Sequence, residues 1–117
     1  MIFSLLLIVQ ASGKLSLENN IGIWHLDEGK GNVAKDASSN KYEGEIKGAK
    51  WVKGKFGQAL EFKKGDTVII PLDKGAVRDK ASVIMWIQFT DVNAQQNYFS
   101  VWDQSKNRLV PYKDPGN

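Results

Sequence analysis

Short segments of this chain alternate between apolar and polar residues, and glycine or aspartate separates most segments from the next. In residues 21–26, Gly22, Trp24 and Leu26 fall on one side of the alternation. A period of two is that of a β-strand with one buried face. The pattern therefore predicts a strand at 21–26 whose tryptophan lies in the core.

Further strand-like segments follow along the chain. They are residues 42–48, 58–62, 67–71, 81–89 and 98–102. Residues 81–89 are apolar on both faces, which predicts a central strand covered on both sides. Residues 63–66, between two of the strands, predict a hairpin turn. Because no segment shows a sustained helical period, the chain is predicted to be all-β, an antiparallel β-sandwich or jelly roll.

Two polar turns follow the first predicted strand. Residues 27–31 contain a carboxylate pair and two glycines, which tolerate positive φ. Asp36, Ser38 and Asn40 predict a second turn, since short polar side chains bond nearby backbone N–H groups. We expect Asp36 and Asn40 to organise the connection between the first two strands and to perform no chemistry.

Alternation also divides the side chains into a core and a surface. We expect the buried set to be Trp24, Leu26, Leu60, Phe62, Val68, Ile70, Met85 and Trp86. We expect an exposed set of lysines, Lys53, Lys55, Lys63 and Lys64, because burying an unpaired ammonium group is costly.

The composition is that of one folded domain, since 117 residues are too few for two and 42% apolar residues exclude a disordered chain. The formal charge is only +3, and the lysines between 47 and 55 fit the rim of a sheet better than a nucleic-acid site. The absence of cysteine excludes disulfides, thiol nucleophiles and zinc–thiolate sites. His25 is the sole histidine, which excludes a Ser-His-Asp triad unless His25 is its base.

Residues 1–9 form an apolar run. The run is too short to cross a bilayer as a helix, so no membrane span is expected. It matches the apolar region of a secretory signal peptide, and Ala11 and Gly13 offer small residues for cleavage. We therefore expect a signal peptide at 1–13, a domain at 14–117, and a secreted or cell-surface location. The alternative is a buried first strand.

Four blocks of sequence carry a resemblance to a known family. They are Ile-Trp-His-Leu-Asp-Glu-Gly-x-Gly and Asp-x-Ser-x-Asn-x-x-x-Gly within 23–44, Trp-Val-x-Gly-Lys-Phe-Gly-x-Ala-Leu-x-Phe at 51–62, Val-x-Ile-Pro at 68–71, and Ser-Val-Ile-Met-Trp-Ile at 82–87. In order and spacing they resemble the opening of laminin-G-like, concanavalin-A-like jelly-roll domains of bacterial surface and secreted proteins. The chain has fewer predicted strands than such a domain needs, so we expect an N-terminal half, truncated at its C-terminus. Its unpaired apolar face would favour self-association.

The resemblance implies a non-catalytic recognition module, often part of a larger exported protein, whose partner is a glycan or a cell-surface protein. Aromatic side chains at loop edges can stack on sugar rings, and Trp51, Tyr98 and Trp102 are the candidates. The alternative for Trp51 is a place in the core.

An enzyme is the second hypothesis, because glycoside hydrolases also use concanavalin-like sandwiches. They need two carboxylates facing each other across a cleft. The strand motif Glu-x-Asp-x-x-Glu is absent, and the adjacent Asp27 and Glu28 would diverge on a strand. No catalytic residue is therefore assigned. A glycosidase fragment and a purely structural adhesion or spacer domain are the alternatives to a binding module.

Calcium is the one cofactor to consider. Asp36, Asn40 and the carbonyls of residues 29–31 are hard oxygen ligands in a turn, and the family resembled includes calcium-bound members. Calcium takes about six to eight oxygens, of which these two side chains supply only a part. A hydrogen-bonded Asx turn is the alternative.

The export hypothesis predicts that the mature protein begins just after Ala11 or Gly13. N-terminal sequencing of the secreted product measures this directly. Retention of Met1 in a folded cytoplasmic protein would overturn the predicted location.

Overall fold

The computed structural model describes residues 2–9, 20–77, 81–90, 93, 96–97, 99–102, 108–109 and 112–113. All regular secondary structure in these residues is β-strand, as the alternation predicted. The strands are β1 (Ile2–Val9), β2 (Asn20–Trp24), β3 (Val33–Ala34), β4 (Gly44–Lys47), β5 (Lys50–Lys53), β6 (Gln58–Glu61), β7 (Thr67–Ile69), β8 (Ser82–Gln88), β9 (Gln96–Asn97), β10 (Val101–Trp102), β11 (Arg108–Leu109) and β12 (Tyr112–Lys113). In the part of the chain described, no helix is long and apolar enough to cross a membrane.

β1 lies at the centre of the larger sheet. β8 runs antiparallel along one side of it. On the other side, β1 pairs with β2 through residues 6–9 and with β6 through residues 2–3. β5 extends this side of the sheet by pairing with β6. The outer strands of the sheet are therefore β8 on one side and β2 and β5 on the other.

The apolar segment that suggested a signal peptide supplies this central strand. Its pairing as a strand is compatible with the alternative that the sequence left open, a first strand of the fold. The predicted cleavage positions, Ala11 and Gly13, lie outside the described residues. Export therefore stays a prediction.

A smaller antiparallel sheet, in the order β3-β4-β7, packs against the larger one. The buried cluster between them consists of Ile21, Trp24, Leu26, Ala34, Ile46 and Leu60. Ala34 and Ile46 come from the smaller sheet, whereas Trp24 and Leu60 come from the larger one. The two sheets thus bury their apolar faces against each other, which makes the protein a β-sandwich. Two short ribbons, β10–β11 and β9–β12, complete the described strands.

The predicted core is largely confirmed. Trp24 and Leu60 are fully buried, and Leu26 is 2% exposed. The half-buried members of the predicted set pack against the cluster; they are Phe62, Val68, Ile70 and Met85. The lysines predicted to be exposed are so, namely Lys53, Lys55, Lys63 and Lys64.

Trp86 is the exception, and its predicted burial is wrong. Its side chain is 48% exposed. Alternate residues of β8, Val83, Met85 and Ile87, pack against the core. Because successive side chains of a strand point to opposite faces, Trp86 projects from the outer face of the sheet.

Two predictions about strand placement are also wrong. Within the described residues, β8 pairs with β1 alone and exposes one face, so it is not a central strand covered on both sides. The turn at 63–66 does form, and the Asp66 N–H donates to the Lys63 carbonyl at 3.0 Å. It is not a hairpin turn, however, because β6 and β7 belong to different sheets. The turn carries the chain from one layer of the sandwich to the other.

Trp24 fits into the core because residue 22 has no side chain. Residues 22 and 24 share one face of β2, and the six-membered ring of the indole lies over Gly22. A Cβ atom at position 22 would overlap that ring. The Gly-x-Trp spacing is therefore a packing requirement of this strand.

Gly22→Ala is expected to destabilise the protein by about 3 kcal/mol, at the severe end of overpacking in a core. Gly31→Ala is the control, because a Cβ there meets nothing within 4 Å and only its φ of +80° is unfavourable. That variant should cost about 1 kcal/mol. Chemical denaturation measures both, and equal costs would contradict the packing of Trp24 over residue 22.

Candidate functional site

The carboxylate of Asp36 is buried, with 4% of the residue exposed, and it accepts four hydrogen bonds. Its Oδ1 accepts hydrogen bonds from two backbone N–H groups, that of Ile23, with N···O at 2.9 Å, and that of Ser38, with N···O at 2.8 Å. Its Oδ2 accepts the Ser38 hydroxyl and the Tyr42 backbone N–H, both at 2.8 Å. Each carboxylate oxygen thus accepts two hydrogen bonds, which replace the hydrogen bonds to water that the charged group loses on burial.

These donors set the ionisation of Asp36. Burial disfavours the charged form and acts to raise the pKa of the carboxyl. The hydrogen bonds from Ile23, Ser38 and Tyr42 favour the carboxylate and outweigh burial, so the pKa of Asp36 lies below its ordinary value. Asp36 is therefore a charged structural anchor at neutral pH.

Other residues of the same turn bond to β2 or its flank. The Asn40 side-chain amide donates to the carbonyls of Ile21 at 2.9 Å and Asn20 at 3.2 Å. The Trp24 indole N–H donates to the Tyr42 carbonyl at 2.7 Å. These hydrogen bonds hold the turn at 36–42 against both ends of β2. Asp36 and Asn40 therefore organise this turn, as expected.

Asp36 and Asn40 do not present a set of calcium ligands. Calcium needs oxygen lone pairs directed at one point. Both Asp36 oxygens already face N–H or O–H donors, and Asn40 directs its amide nitrogen at β2. Among the described residues, no group of three or more His, Cys, Asp or Glu side chains could hold a metal ion. The geometry fits the Asx-turn alternative.

Of the three aromatic residues predicted to bind a ligand, the side chain of one is described. Trp51 in β5 is half-buried against the core cluster, and its indole N–H donates to the Gly31 carbonyl at 2.9 Å. These contacts fit its alternative place in the core. Tyr98 lies outside the described residues, and so does the side chain of Trp102. The binding role of these two residues stays a prediction.

An exposed aromatic surface lies on the outer face of β8. Phe56 is 60% exposed and Trp86 is 48% exposed. Their ring centroids are 5.6 Å apart at an interplanar angle of 71°, an edge-to-face contact. The Lys55 ammonium lies 4.2 Å from the centroid of the Trp86 ring and 5.6 Å from that of Phe56. We call Lys55, Phe56 and Trp86 the Trp86 cluster.

A tight loop brings the Trp86 cluster together. Lys55 and Phe56 belong to the connection between β5 and β6, which is closed by a hydrogen bond from the Gly54 N–H to the Gly57 carbonyl at 2.8 Å. The loop therefore carries a cation and an aromatic ring onto the indole of Trp86. Ile84, 39% exposed, lies two residues before Trp86 on the same face of β8 and extends the apolar surface.

The side chains of the Trp86 cluster offer surfaces for binding a ligand. An indole face attracts cations and polarised C–H groups, and a cation at an exposed face gains about 0.5–1 kcal/mol. Lysine adds three N–H donors beside the ring. The arrangement suits an amphipathic ligand with C–H groups on one face and oxygen atoms at its edge.

The sequence pattern missed this site because apolar residues on both faces of β8 do not show which face is covered. One signal was present. Lys55 and Phe56 lie between two glycines, in the stretch that separates the predicted strands 42–48 and 58–62, and residues in such a loop are usually exposed. An exposed phenylalanine there was the available indication of a binding surface.

Comparison of the chain with protein-family models, with curated proteins and with solved structures finds no match. The laminin-G-like resemblance therefore rests on the four sequence blocks. The function has to be argued from the site itself.

Asp36→Ala is expected to destabilise the protein by about 3 kcal/mol or more at neutral pH, because it leaves three N–H donors without their acceptor and each costs about 1–3 kcal/mol. Asp27→Ala, which removes an exposed carboxylate, is the control and should stay within about 0.5 kcal/mol. Urea denaturation measures both.

The cost of Asp36→Ala should also depend on pH. Because the pKa of Asp36 is lowered by folding, the unfolded chain takes up the proton first as the pH falls. The contribution of the carboxylate is full above about pH 5 and is lost below about pH 4, as the pH passes through the lowered pKa. The difference in unfolding free energy between wild type and Asp36→Ala should therefore be smaller at about pH 2.5 than at about pH 6. An equal difference at the two pH values would contradict the hydrogen bonds described for Asp36.

Proposed function

We propose that this chain is a non-catalytic recognition module that binds carbohydrate through the Trp86 cluster. The observation that carries the proposal is the exposed edge-to-face pair of Phe56 and Trp86 on the outer face of a sheet. Aromatic side chains of this size are normally buried, and a contiguous exposed group of them marks a binding surface.

The chemistry of the cluster favours a sugar as the ligand. A pyranose ring has faces of polarised C–H groups that can lie on an indole, while its hydroxyls point outward to polar side chains. The Lys55 ammonium lies over the indole face, 4.2 Å from the ring centroid, so a sugar that stacks on this face would displace it to the sugar's edge, where it donates hydrogen bonds. Gln88, exposed on the same face of β8, offers both a donor and an acceptor. Ile84 lengthens the apolar surface toward the dimensions of more than one sugar unit.

The proposal includes a laminin-G-like jelly roll within a larger secreted or cell-surface protein. What supports this finer assignment is the order of the four sequence blocks, which contain the whole of β6 and parts of β2, β5, β7 and β8. The antiparallel two-sheet arrangement of these strands is compatible with such a domain. If no saccharide binds, the alternative ligand is a protein of the cell surface.

Trp86→Ala is expected to weaken saccharide binding about five- to 150-fold, since stacking on an exposed aromatic platform contributes about 1–3 kcal/mol. Affinity gel electrophoresis against a panel of neutral and acidic polysaccharides finds the ligand, and calorimetry with its oligosaccharide measures the affinity. Ile69→Ala is the matched control, because Ile69 is 47% exposed on the smaller sheet.

The fold of Trp86→Ala should be retained, because about half of the tryptophan is already in water. Equal affinities of wild type and Trp86→Ala for the polysaccharide would exclude the Trp86 cluster as the site. Failure of the wild type to bind any member of the panel would exclude the carbohydrate ligand.

A further inference from the structure

Two outer strands of the larger sheet, β5 and β8, differ in their protection against pairing. β5 has Lys50 and Lys53 at its ends, and charged side chains on an edge strand hinder pairing with another chain. β8 has seven residues, none of them charged and none of them proline. Within the described residues it pairs with β1 alone. A long, uncharged edge strand of this kind is a template for another strand.

We propose that two copies of this chain pair through β8, antiparallel and related by a two-fold axis. Pairing over all seven residues places Met85 on the axis and Ser82 opposite Gln88 of the second copy. Ile84 then lies opposite Trp86 of the second copy. Every residue pair within the two strands is neutral, so no like charges meet between paired residues of β8. Such an interface is isologous, and each contact occurs twice.

The outer face of β8 supplies the apolar contact. Ile84 and Trp86 are 39% and 48% exposed, and in the pair each isoleucine lies beside an indole of the other copy. A cross-strand pair of an aromatic and a β-branched residue stabilises by about 0.2–1 kcal/mol, and the new backbone hydrogen bonds add to it. One strand pair is a small interface, so we expect reversible association that depends on concentration.

A second copy fits this edge better than a strand of different chemistry. A charged partner strand would find no opposite charge on β8. The β8 of a second copy matches it instead, because reversing the strand about Met85 places apolar residues against apolar residues on the outer face and polar Ser82 against polar Gln88.

The pairing would also join two Trp86 clusters on one continuous sheet face. With ordinary strand spacing, the two Trp86 Cα atoms would lie about 7–8 Å apart on the diagonal. This would produce one longer binding surface in place of two separate ones. The pairing itself does not depend on which ligand the surface takes.

Light scattering and sedimentation of the full chain, from about 1 to 500 μM, test the pairing. The wild-type mass should rise from 13.1 kDa toward twice that value. Ile84→Lys places a new ammonium group opposite Trp86 of the second copy, whose ring already holds the Lys55 ammonium at 4.2 Å, so like charges meet in each half of the junction and the variant should keep the monomer mass throughout. Ile69→Lys, an identical change at an exposed isoleucine of the smaller sheet, should dimerise like the wild type.

A wild-type chain that stays monomeric at every concentration would overturn the proposal, and so would a dimer that persists in Ile84→Lys. Assemblies that grow beyond two copies would overturn the closed two-fold pair. Amide hydrogen exchange of the wild type tests the same edge without any variant. The amides of β8 should exchange more slowly at high than at low concentration, whereas those of β4 should not change. Exchange of β8 that is independent of concentration would also overturn the proposal.

Discussion

The two layers of this sandwich are held together at one point by the buried carboxylate of Asp36. Asp36 lies two residues after the end of β3 in the smaller sheet, yet it accepts a hydrogen bond from the backbone N–H of Ile23 in β2 of the larger sheet. The same carboxylate fixes Ser38 and Tyr42, and the Tyr42 carbonyl in turn receives the indole N–H of Trp24. One charged group therefore fixes the turn, the end of a strand and the largest side chain of the core.

The exposed surface of the protein follows from this internal arrangement. Trp24 and Leu60 fill the space between the sheets, and the inner residues of β8 pack against the same cluster. Since a strand places alternate side chains on opposite faces, filling the inner face leaves Ile84 and Trp86 on the outer one. The loop between β5 and β6 then gives Trp86 its two neighbours, Lys55 and Phe56. The exposed position of the Trp86 cluster is thus a consequence of the packing of the core.

The sequence predicted those parts of the structure that depend on neighbouring residues. The strand containing Trp24 shows a clear alternation, and the turn at Asp36 is made by side chains that bond within a few residues or to the adjacent strand. Long-range choices were less visible. The turn at 63–66 has the right residues for a turn, but nothing in them states that the next strand joins another sheet. The apolar run at the N-terminus has the composition of both a signal peptide and a central strand.

The candidate site was harder to predict for the same reason. Trp86 belongs to a strand that is apolar on both faces, so periodicity alone could not tell its exposed side from its covered one. Its contacts with Lys55 and Phe56 join residues about 30 positions apart, and only the pairing of β1 with both β6 and β8 brings them together.

Hydrogen exchange of the tryptophan indole protons, followed by NMR, tests most directly whether the Trp24 indole is buried in the core and the Trp86 indole is exposed on the outer face of the sheet. The Trp24 indole proton, bonded to the Tyr42 carbonyl in a fully buried ring, should exchange only with global unfolding. The Trp86 indole proton should exchange orders of magnitude faster. Equal exchange rates at the two indoles would contradict this arrangement of the sheets.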